Sequence, residues 1–437
     1  MHPEQPLWML VNEFGFECLK LFGEEKSLAQ CISIIASRYG IDSKTAEQDI
    51  LRFVDSLKKA GFIDDDKKID IERKKIGFTS AFLHITDACN LKCKHCYATV
   101  YRHKRADISD NDFFRFLDRF FGAGGKRLIL SGGEPLLHKR LRDFIELYSH
   151  ATIRILTNGL LIDDNFASYI ENKNVDIQVS LDGSTATIHD SIRGKDAFQG
   201  ALGGIAVLKR HGLLYRTNIC ATITRKNIHD LPSLIRFVYS LGIRHIRFIP
   251  LRKRGDGARN WGTLHADITP EEYKEFYRYV FEEAQGNFPD MTIGSGLSGL
   301  VLRAHDLSQG NRGCSIGTNL VVDANGDIYP CVLLMDKQYK LGNIRTTSFE
   351  ALRKHSVLNR LVDAIYERKN RITECNSCLW KNFCGGACLG EVHEKFGSIW
   401  RTDEYCDIRR ELLEKAILRI IAGTIKETTR GKGPECF

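Results

Sequence analysis

Residues 81–96 read AFLHITDACNLKCKHC, an apolar run followed at once by three cysteines in the spacing CxxxCxxC. The run predicts a buried β-strand. The loop after it is too short to bury three thiols separately, so Cys89, Cys93 and Cys96 can converge on one metal centre. Three cysteine ligands leave one iron of a cubane cluster open to bind and activate a ligand, whereas four favour a closed site. The alternative for this loop is a zinc site with His95 as its fourth ligand.

Composition narrows the classes of protein to which the chain can belong. Its 437 residues are 43% hydrophobic, enough for two to four domains with proper cores. A net charge of +8, without a run of five like charges, gives no indication of a nucleic-acid partner. No stretch of 18 apolar residues and no secretion signal are present, which predicts a cytoplasmic protein without a membrane partner. Ten of the fourteen cysteines are clustered, and in a reducing compartment this indicates metal sites instead of disulfides.

Short apolar runs alternate with helix-like segments after residue 80 and predict an α/β fold with a parallel sheet, because each crossover needs a helix. The predicted strands are Ala81–Thr86, Arg127–Ser131, Ile153–Thr157, Ile177–Leu181, Thr217–Ile223 and His245–Pro250. Three of them end in SGGEP (131–135), TNG (157–159) and SLDG (180–183). Ligands of parallel α/β proteins gather at the carboxyl ends of strands, so we expect one ligand to span these three ends.

Together these motifs resemble the radical SAM superfamily, whose CxxxCxxC loop follows the first strand of a partial (β/α)6 barrel of TIM type. Alone, GGEP could be an ordinary turn and TNG a helix stop; in this order and at strand ends the set is specific. The resemblance implies a barrel over residues 78–295, with a 4Fe-4S cluster on the three cysteines. Motif by motif, it implies that S-adenosylmethionine is contacted through its amino group by Gly132, Gly133 and Glu134, through its ribose by Thr157 and Asn158, and through its carboxylate by Ser180 and Arg193.

The chemistry implied by this resemblance is reductive cleavage of S-adenosylmethionine. The resulting 5'-deoxyadenosyl radical abstracts hydrogen from a substrate. A flavodoxin- or ferredoxin-type electron donor is implied as a partner. No residue that acts as a catalytic base or hydrogen donor can be identified from the sequence.

A second set of seven cysteines lies downstream, at Cys314, Cys331, Cys375, Cys378, Cys384, Cys388 and Cys406. Taken by itself, the CxxC pair of Cys375 and Cys378 suits a zinc ribbon. Their order and spacing resemble the SPASM extension of the superfamily, which implies two auxiliary iron-sulfur clusters within residues 296–410. The interleaved ligation of that family assigns one closed cluster to Cys375, Cys378, Cys384 and Cys406, and the other to Cys314, Cys331 and Cys388.

The second auxiliary cluster departs from the pattern of some relatives, because residues 315–320 contain no fourth cysteine. An open iron there would accept a substrate thiolate or Cys436, and the alternative for Cys436 is an unengaged thiol of the tail. Sulfatase-maturing members place an aspartate directly after the cysteine that matches Cys331, and Val332 at this position counts against that reaction. Cys18, Cys31 and Cys220 lie in apolar patterns and are predicted to be core residues.

The amino-terminal region predicts a small helical module. A capping-box pattern at 27–30 and two apolar periodicities predict helices that stop at Gly40 and Gly61. Residues 1–66 resemble the winged-helix-like PqqD domain, which implies recognition of a precursor peptide through its leader, added as a strand to a sheet edge. The family's first strands have almost no counterpart before Trp8, so a packing or dimerisation module is the alternative. A charged linker is predicted at 67–77, and an amphipathic helix and tail at 411–437.

This combination of domains predicts an enzyme that matures a ribosomally synthesised peptide by forming a thioether or carbon-carbon crosslink. Two other hypotheses remain at this point. The same chemistry can act on a small molecule or a protein partner. The chain can also be a non-enzymatic zinc or electron-transfer module.

Overall fold

The computed structural model describes residues 8–63, 75–100, 109–265, 268–294 and 314–421. Most of the predicted linker, the tail after residue 421 and Cys436 lie outside these ranges. Among the described residues, no helix is both long enough and apolar enough to cross a membrane.

Residues 8–63 form a three-helix module without a strand in that range. Its helices are α1 (Glu13–Gly23), α2 (Leu28–Tyr39) and α3 (Ser43–Lys59). The predicted capping box is confirmed, since the Ser27 hydroxyl accepts from the Gln30 N–H and the Gln30 side chain accepts from the Ser27 N–H. Gly40 ends α2 in the left-handed conformation. The buried core contains Cys18, Leu21, Cys31, Ile35, Ala46 and Ile50, which confirms the packing role of both cysteines.

The middle of the chain forms the predicted parallel sheet. Its strands are β1 (Ser80–Thr86), β2 (Arg127–Gly132), β3 (Thr152–Thr157), β4 (Val175–Ser180), β5 (Thr217–Ile223) and β6 (His245–Pro250). They pair in chain order, each parallel to the next. All six predicted strands are confirmed, with bounds that differ by two residues or fewer.

Helices connect these strands and cover one face of the sheet. They are α4 (Asp110–Gly122), α5 (Leu141–Leu147), α6 (Asp164–Ile170), α7 (Ala186–Arg193), α8 (Ala197–Arg210), α9 (Leu231–Ser240) and α10 (Pro270–Tyr279). Alternate strand residues such as Ile153, Ile155 and Ile177 are buried with the helix residue Phe166 in one large apolar core. The polar strand ends are thereby held at one edge of a rigid sheet.

The sheet continues beyond the six predicted strands. It gains β7 (Thr292–Gly294) beside β6, and β8 (Asn319–Val322), β9 (Asp327–Tyr329) and β10 (Gly342–Asn343) beyond β1. β8 runs parallel to β1, whereas β9 and β10 pair antiparallel. Since β8 satisfies the open edge of β1, the region predicted as a separate domain from residue 296 shares its sheet with the barrel.

The carboxyl-terminal part is helical and carries the second cysteine set. Its longer helices are α11 (Phe349–Lys354), α12 (Ser356–Arg371), α13 (Leu389–Phe396) and α14 (Cys406–Ile421), with short turns at Thr373–Asn376 and Lys381–Cys384. Helix α14 buries Ile408, Leu412 and Leu413, as its predicted amphipathic pattern requires. Trp8 packs against Phe383 and Leu413, so the first described residues contact this region.

Candidate functional site

The three cysteines after β1 lie together and pack against the apolar side chains of Leu91 and Ala197. Burial raises the pKa of Cys93 to about 11; the Arg193 guanidinium opposes this, while Cys96 and Cys89 raise the pKa further. Three thiols that would repel one another as thiolates favour a bound cation, because a metal both requires and stabilises the deprotonated form. This donor set therefore fits an iron-sulfur cluster.

His95 does not join the cysteines. Its Nε2 lies 3.5 Å from Oδ2 of Asp182, and burial lowers its pKa to about 4. Among the described residues, no three histidine, cysteine, aspartate or glutamate side chains are close enough to hold a single metal ion. The zinc alternative needs His95 as a ligand beside the cysteines, whereas here its imidazole faces Asp182. The ligands of a cubane bind different irons and need not meet at one point.

The GGEP segment packs tightly on the beginning of the cysteine loop. The Gly133 N–H donates to the Thr86 carbonyl and the Glu134 N–H to the Ala88 carbonyl, each at 2.7 Å. A Cβ at Gly133 would lie 2.0 Å from the Ala88 oxygen, and one at Gly132, where φ is 131°, would lie 2.1 Å from the Thr86 oxygen. Both glycines are needed for this approach, which fixes Glu134 relative to the loop.

Glu134 connects the ends of β2 and β3. It is 1% exposed, and its carboxylate accepts from the Thr157 hydroxyl (2.7 Å), the Asn158 N–H (2.8 Å) and the Leu136 N–H (3.2 Å). Burial raises the pKa of Glu134 against these hydrogen bonds. The Asn158 side chain in turn donates to Asn90 within the cysteine loop. A carboxylate accepts about four hydrogen bonds, so Glu134 retains capacity for one donor from a ligand.

The end of β4 adds a buried ion pair. Arg193 Nε donates to Asp182 at 2.6 Å, and its Nη1 lies 4.0 Å from the Cys93 sulfur. Burial alone would raise the pKa of Asp182, but Arg193 and then His95 hold it at about 2. Ser180 is half-buried at the end of the same strand. The structure thus connects the GGEP and TNG segments and Arg193 with the cysteine loop and places Ser180 at the end of β4, and the individual contacts of these residues with S-adenosylmethionine stay predictions.

Asp182 is a site residue that the sequence analysis missed. It is fully buried and also accepts from the Thr222 N–H at 2.7 Å. Its position directly after a predicted strand, in SLDG, was an available signal, since a buried aspartate needs a partner there.

The seven downstream cysteines divide into the two groups implied by the resemblance. One small pocket is lined by Cys375, Cys378, Cys384 and Cys406. Burial raises the pKa of Cys375 to about 12, with further increases from the other three thiols. These four donors fit a closed cluster.

The remaining three cysteines form the second group. Burial raises the pKa of Cys331 to about 11, with Cys314 adding to the effect, and the pKa of Cys388 is raised through burial, Glu391, Cys331 and Cys314. Glu391 is another residue near this group that the sequence analysis did not identify, because nothing in its helical pattern distinguishes it. Burial raises the pKa of Glu391 to about 8, and Asp403 adds to this. Ligation by either group of cysteines stays a prediction.

Known families match three parts of the chain. The radical SAM superfamily matches residues 83–238, the SPASM iron-sulfur cluster-binding domain residues 314–379, and coenzyme PQQ synthesis protein D (PqqD) residues 1–63. The first two imply a 4Fe-4S cluster with S-adenosylmethionine and further auxiliary clusters.

Individual relatives are distant. The mycofactocin maturase MftC of Mycolicibacterium smegmatis is 27% identical over 316 residues, covering 70% of this chain and 76% of the relative. The Fe-coproporphyrin III synthase of Methanosarcina barkeri is 25% identical over 405 residues, covering 86% and 94%. The structure of Streptococcus suis SuiB bound to its precursor peptide SuiA is 15% identical with a TM-score of 0.59, covers 91% of this chain and 93% of SuiB, and shows the shared fold.

The three matched domains agree with the sheet, the cysteine loop after β1 and the two downstream cysteine groups. The chain is therefore a radical SAM/SPASM enzyme with an N-terminal PqqD-like domain.

Proposed function

We propose that this enzyme modifies a ribosomally synthesised precursor peptide, whose leader is recognised by the N-terminal module. The supporting observation is that a PqqD-like module, a radical SAM sheet and a SPASM region occur in one chain. Two relatives also support a peptide substrate: MftC is a maturase, and SuiB binds a precursor peptide. The contact of Trp8 with Phe383 places the start of the module against the auxiliary region.

The residues around the cysteine loop would hold the cofactors as follows. Cys89, Cys93 and Cys96 would hold a 4Fe-4S cluster, which would supply the electron for reductive cleavage of bound S-adenosylmethionine and so the radical chemistry that takes hydrogen from the substrate. Glu134 offers its remaining acceptor to the amino group, and Arg193 sets a guanidinium where a carboxylate can bind. The buried Asp182 fixes the orientation of Arg193. A flavodoxin- or ferredoxin-type protein is the proposed electron donor.

The product is proposed to be a thioether or carbon-carbon crosslink. Either bond removes two hydrogens from the peptide: one would leave as an atom to the nucleoside, and the other as a proton to solvent and an electron to an auxiliary cluster. The group of Cys314, Cys331 and Cys388 has three cysteines within the described residues, which favours a position for a substrate thiolate and hence a thioether.

Deleting residues 1–63 tests the role of the module. Full-length and truncated enzymes are reconstituted anaerobically, reduced with dithionite and assayed for 5'-deoxyadenosine. Each is also coexpressed with a candidate precursor encoded beside the gene. We expect the full-length enzyme to remove two hydrogens from the peptide, and the truncated one to keep its iron and its uncoupled cleavage while losing peptide modification. An unchanged yield of modified peptide, at equal iron content, would contradict leader recognition by this module.

A small molecule of the tetrapyrrole class is the second candidate substrate. The match to Fe-coproporphyrin III synthase favours it, because that match extends over 86% of this chain. Formation of Fe-coproporphyrin III from an iron-containing tetrapyrrole precursor by the reduced enzyme, followed by mass spectrometry, discriminates between the two candidates. Its formation by full-length and truncated enzymes alike would favour the tetrapyrrole, whereas no formation together with peptide modification favours the maturase.

A further inference from the structure

Arg368 is a buried cation on α12 with an unusual set of partners. It is 2% exposed, and its guanidinium donates to three backbone carbonyls: those of Ile399 (2.6 Å), Ala387 (2.6 Å) and Arg401 (2.9 Å). No aspartate or glutamate forms an ion pair with it within the part of the chain that the structure describes. Carbonyl dipoles satisfy its donors but do not supply a full negative charge, so burial of this cation needs another source of compensation.

The guanidinium lies beneath the loop that joins the two downstream cysteine groups. A Cβ built at Gly386 would be 3.8 Å from both Nη1 and Cζ of Arg368, and the accepting carbonyl of Ala387 directly precedes Cys388. Gly385 and Gly386 have φ values of 69° and 77°, a left-handed pair that turns the chain. Because the chain turns here, Cys384 lies in one downstream cysteine group and Cys388 in the other.

Thiols of both groups are close enough to act on the charge of Arg368. Burial lowers the pKa of Arg368, and Cys388, Cys375, Cys314 and Cys384 oppose this in that order. Two of these cysteines belong to each group. Anionic thiolates on both sides are therefore the compensation that this cation otherwise lacks.

We propose that Arg368 is a positioning residue shared by both auxiliary clusters. Its three hydrogen bonds hold the loop that divides the ligands, and its charge offsets the negative charge of both thiolate-bound centres. A fixed positive charge stabilises the more reduced, more negative state of a cluster, so Arg368 raises the reduction potential of both. This role does not depend on which substrate the enzyme modifies.

The test uses the full-length, anaerobically reconstituted enzyme and three variants. Arg368→Met removes the charge at similar length, Arg368→Lys keeps it, and Arg360→Met removes an exposed arginine from the same helix as a control. Iron and sulfide are counted, and the potentials of all clusters are measured by titration followed with electron paramagnetic resonance. The cluster whose spectrum responds to S-adenosylmethionine serves as an internal reference.

With Arg368→Met we expect the potentials of both auxiliary clusters to shift to more negative values, or both clusters to be lost, while the reference cluster is unchanged. Arg368→Lys should keep both clusters with smaller shifts, and Arg360→Met should match the wild type. Full iron with unshifted potentials in Arg368→Met would overturn the proposal, as would a response confined to one auxiliary cluster. If Arg368→Met does not fold, Arg368→Lys decides: retention of both clusters supports the role of charge, and loss of auxiliary iron refutes it.

Discussion

Replacing Gly133 by alanine tests how the GGEP segment positions the site. Gly133 does not adopt a positive φ, so the substitution adds a methyl group without backbone strain. That methyl would lie 2.0 Å from the Ala88 oxygen and 2.9 Å from the Asp87 oxygen, whereas real Cβ contacts essentially never fall below 3.0 Å. Both neighbours are backbone atoms, so the two segments must separate by about 1 Å.

The size of the effect follows from this displacement. Separation disrupts two backbone hydrogen bonds of 2.7 Å, donated by Gly133 and Glu134, at a net cost of about 1 kcal/mol each. It also moves the carboxylate of Glu134 relative to the cysteine loop by about the same 1 Å. A misplacement of this size reduces a rate by about 100-fold, equivalent to about 2.7 kcal/mol in the barrier.

Formation of 5'-deoxyadenosine under anaerobic dithionite measures this loss, with iron content determined on the same samples. Gly203→Ala in α8 is the matched control, because its Cβ meets nothing within 4 Å and alanine favours a helix by about 1 kcal/mol over glycine. We expect wild-type activity in the control and about a 100-fold loss in Gly133→Ala. Activity of Gly133→Ala within about threefold of the control would refute the claim that this close approach positions Glu134.

Two further variants test the buried ion pair and the closed auxiliary group. Asp182→Asn leaves Arg193 buried without its partner, so we expect a loss of about 3 kcal/mol at pH 7 by anaerobic urea unfolding. Because the folded pKa of Asp182 is depressed to about 2, the wild type should lose this stability as pH falls from about 4 towards 2, and Asp182→Asn should not; identical pH profiles would contradict the assignment. Cys378→Ala should lose about a third of the iron but retain uncoupled 5'-deoxyadenosine formation, and an unchanged iron count would exclude Cys378 as a ligand.

The fold was predictable where sequence signals are local. The six barrel strands are apolar runs of six or seven residues that end at turns, and each crossover helix fits between them. The four missed strands have two to four residues, too few to show a period. They exist because β1 and β6 present open edges to segments that arrive from distant parts of the chain.

The candidate site, too, was predictable only where its signals are local in the sequence. Cysteine spacing and the GGEP segment are contiguous patterns, so sequence locates them. The roles of Asp182 and Arg368 depend on partners that folding brings close: Arg193 is 11 residues from Asp182, and the carbonyls that hold Arg368 are 19 to 33 residues away. The pKa of Glu391 is raised because folding buries its carboxyl group, and the sequence around Glu391 does not show that burial.

Four buried arginines lie near the cysteines, and they differ in how their charge is neutralised. Arg193 beside Cys93 is paired with Asp182, Arg409 near Cys384 with Asp403, and Arg252 near Cys331 with Glu394. Each pair contributes little net field. Arg368 has carbonyl partners instead of a carboxylate, and the cysteines that act on its charge belong to the two auxiliary groups, so in our proposal its charge acts mainly there. An added electron is therefore stabilised more at the auxiliary groups than at the S-adenosylmethionine site. That asymmetry fits the proposed crosslinking reaction, in which the second electron from the peptide has to move away from the S-adenosylmethionine site.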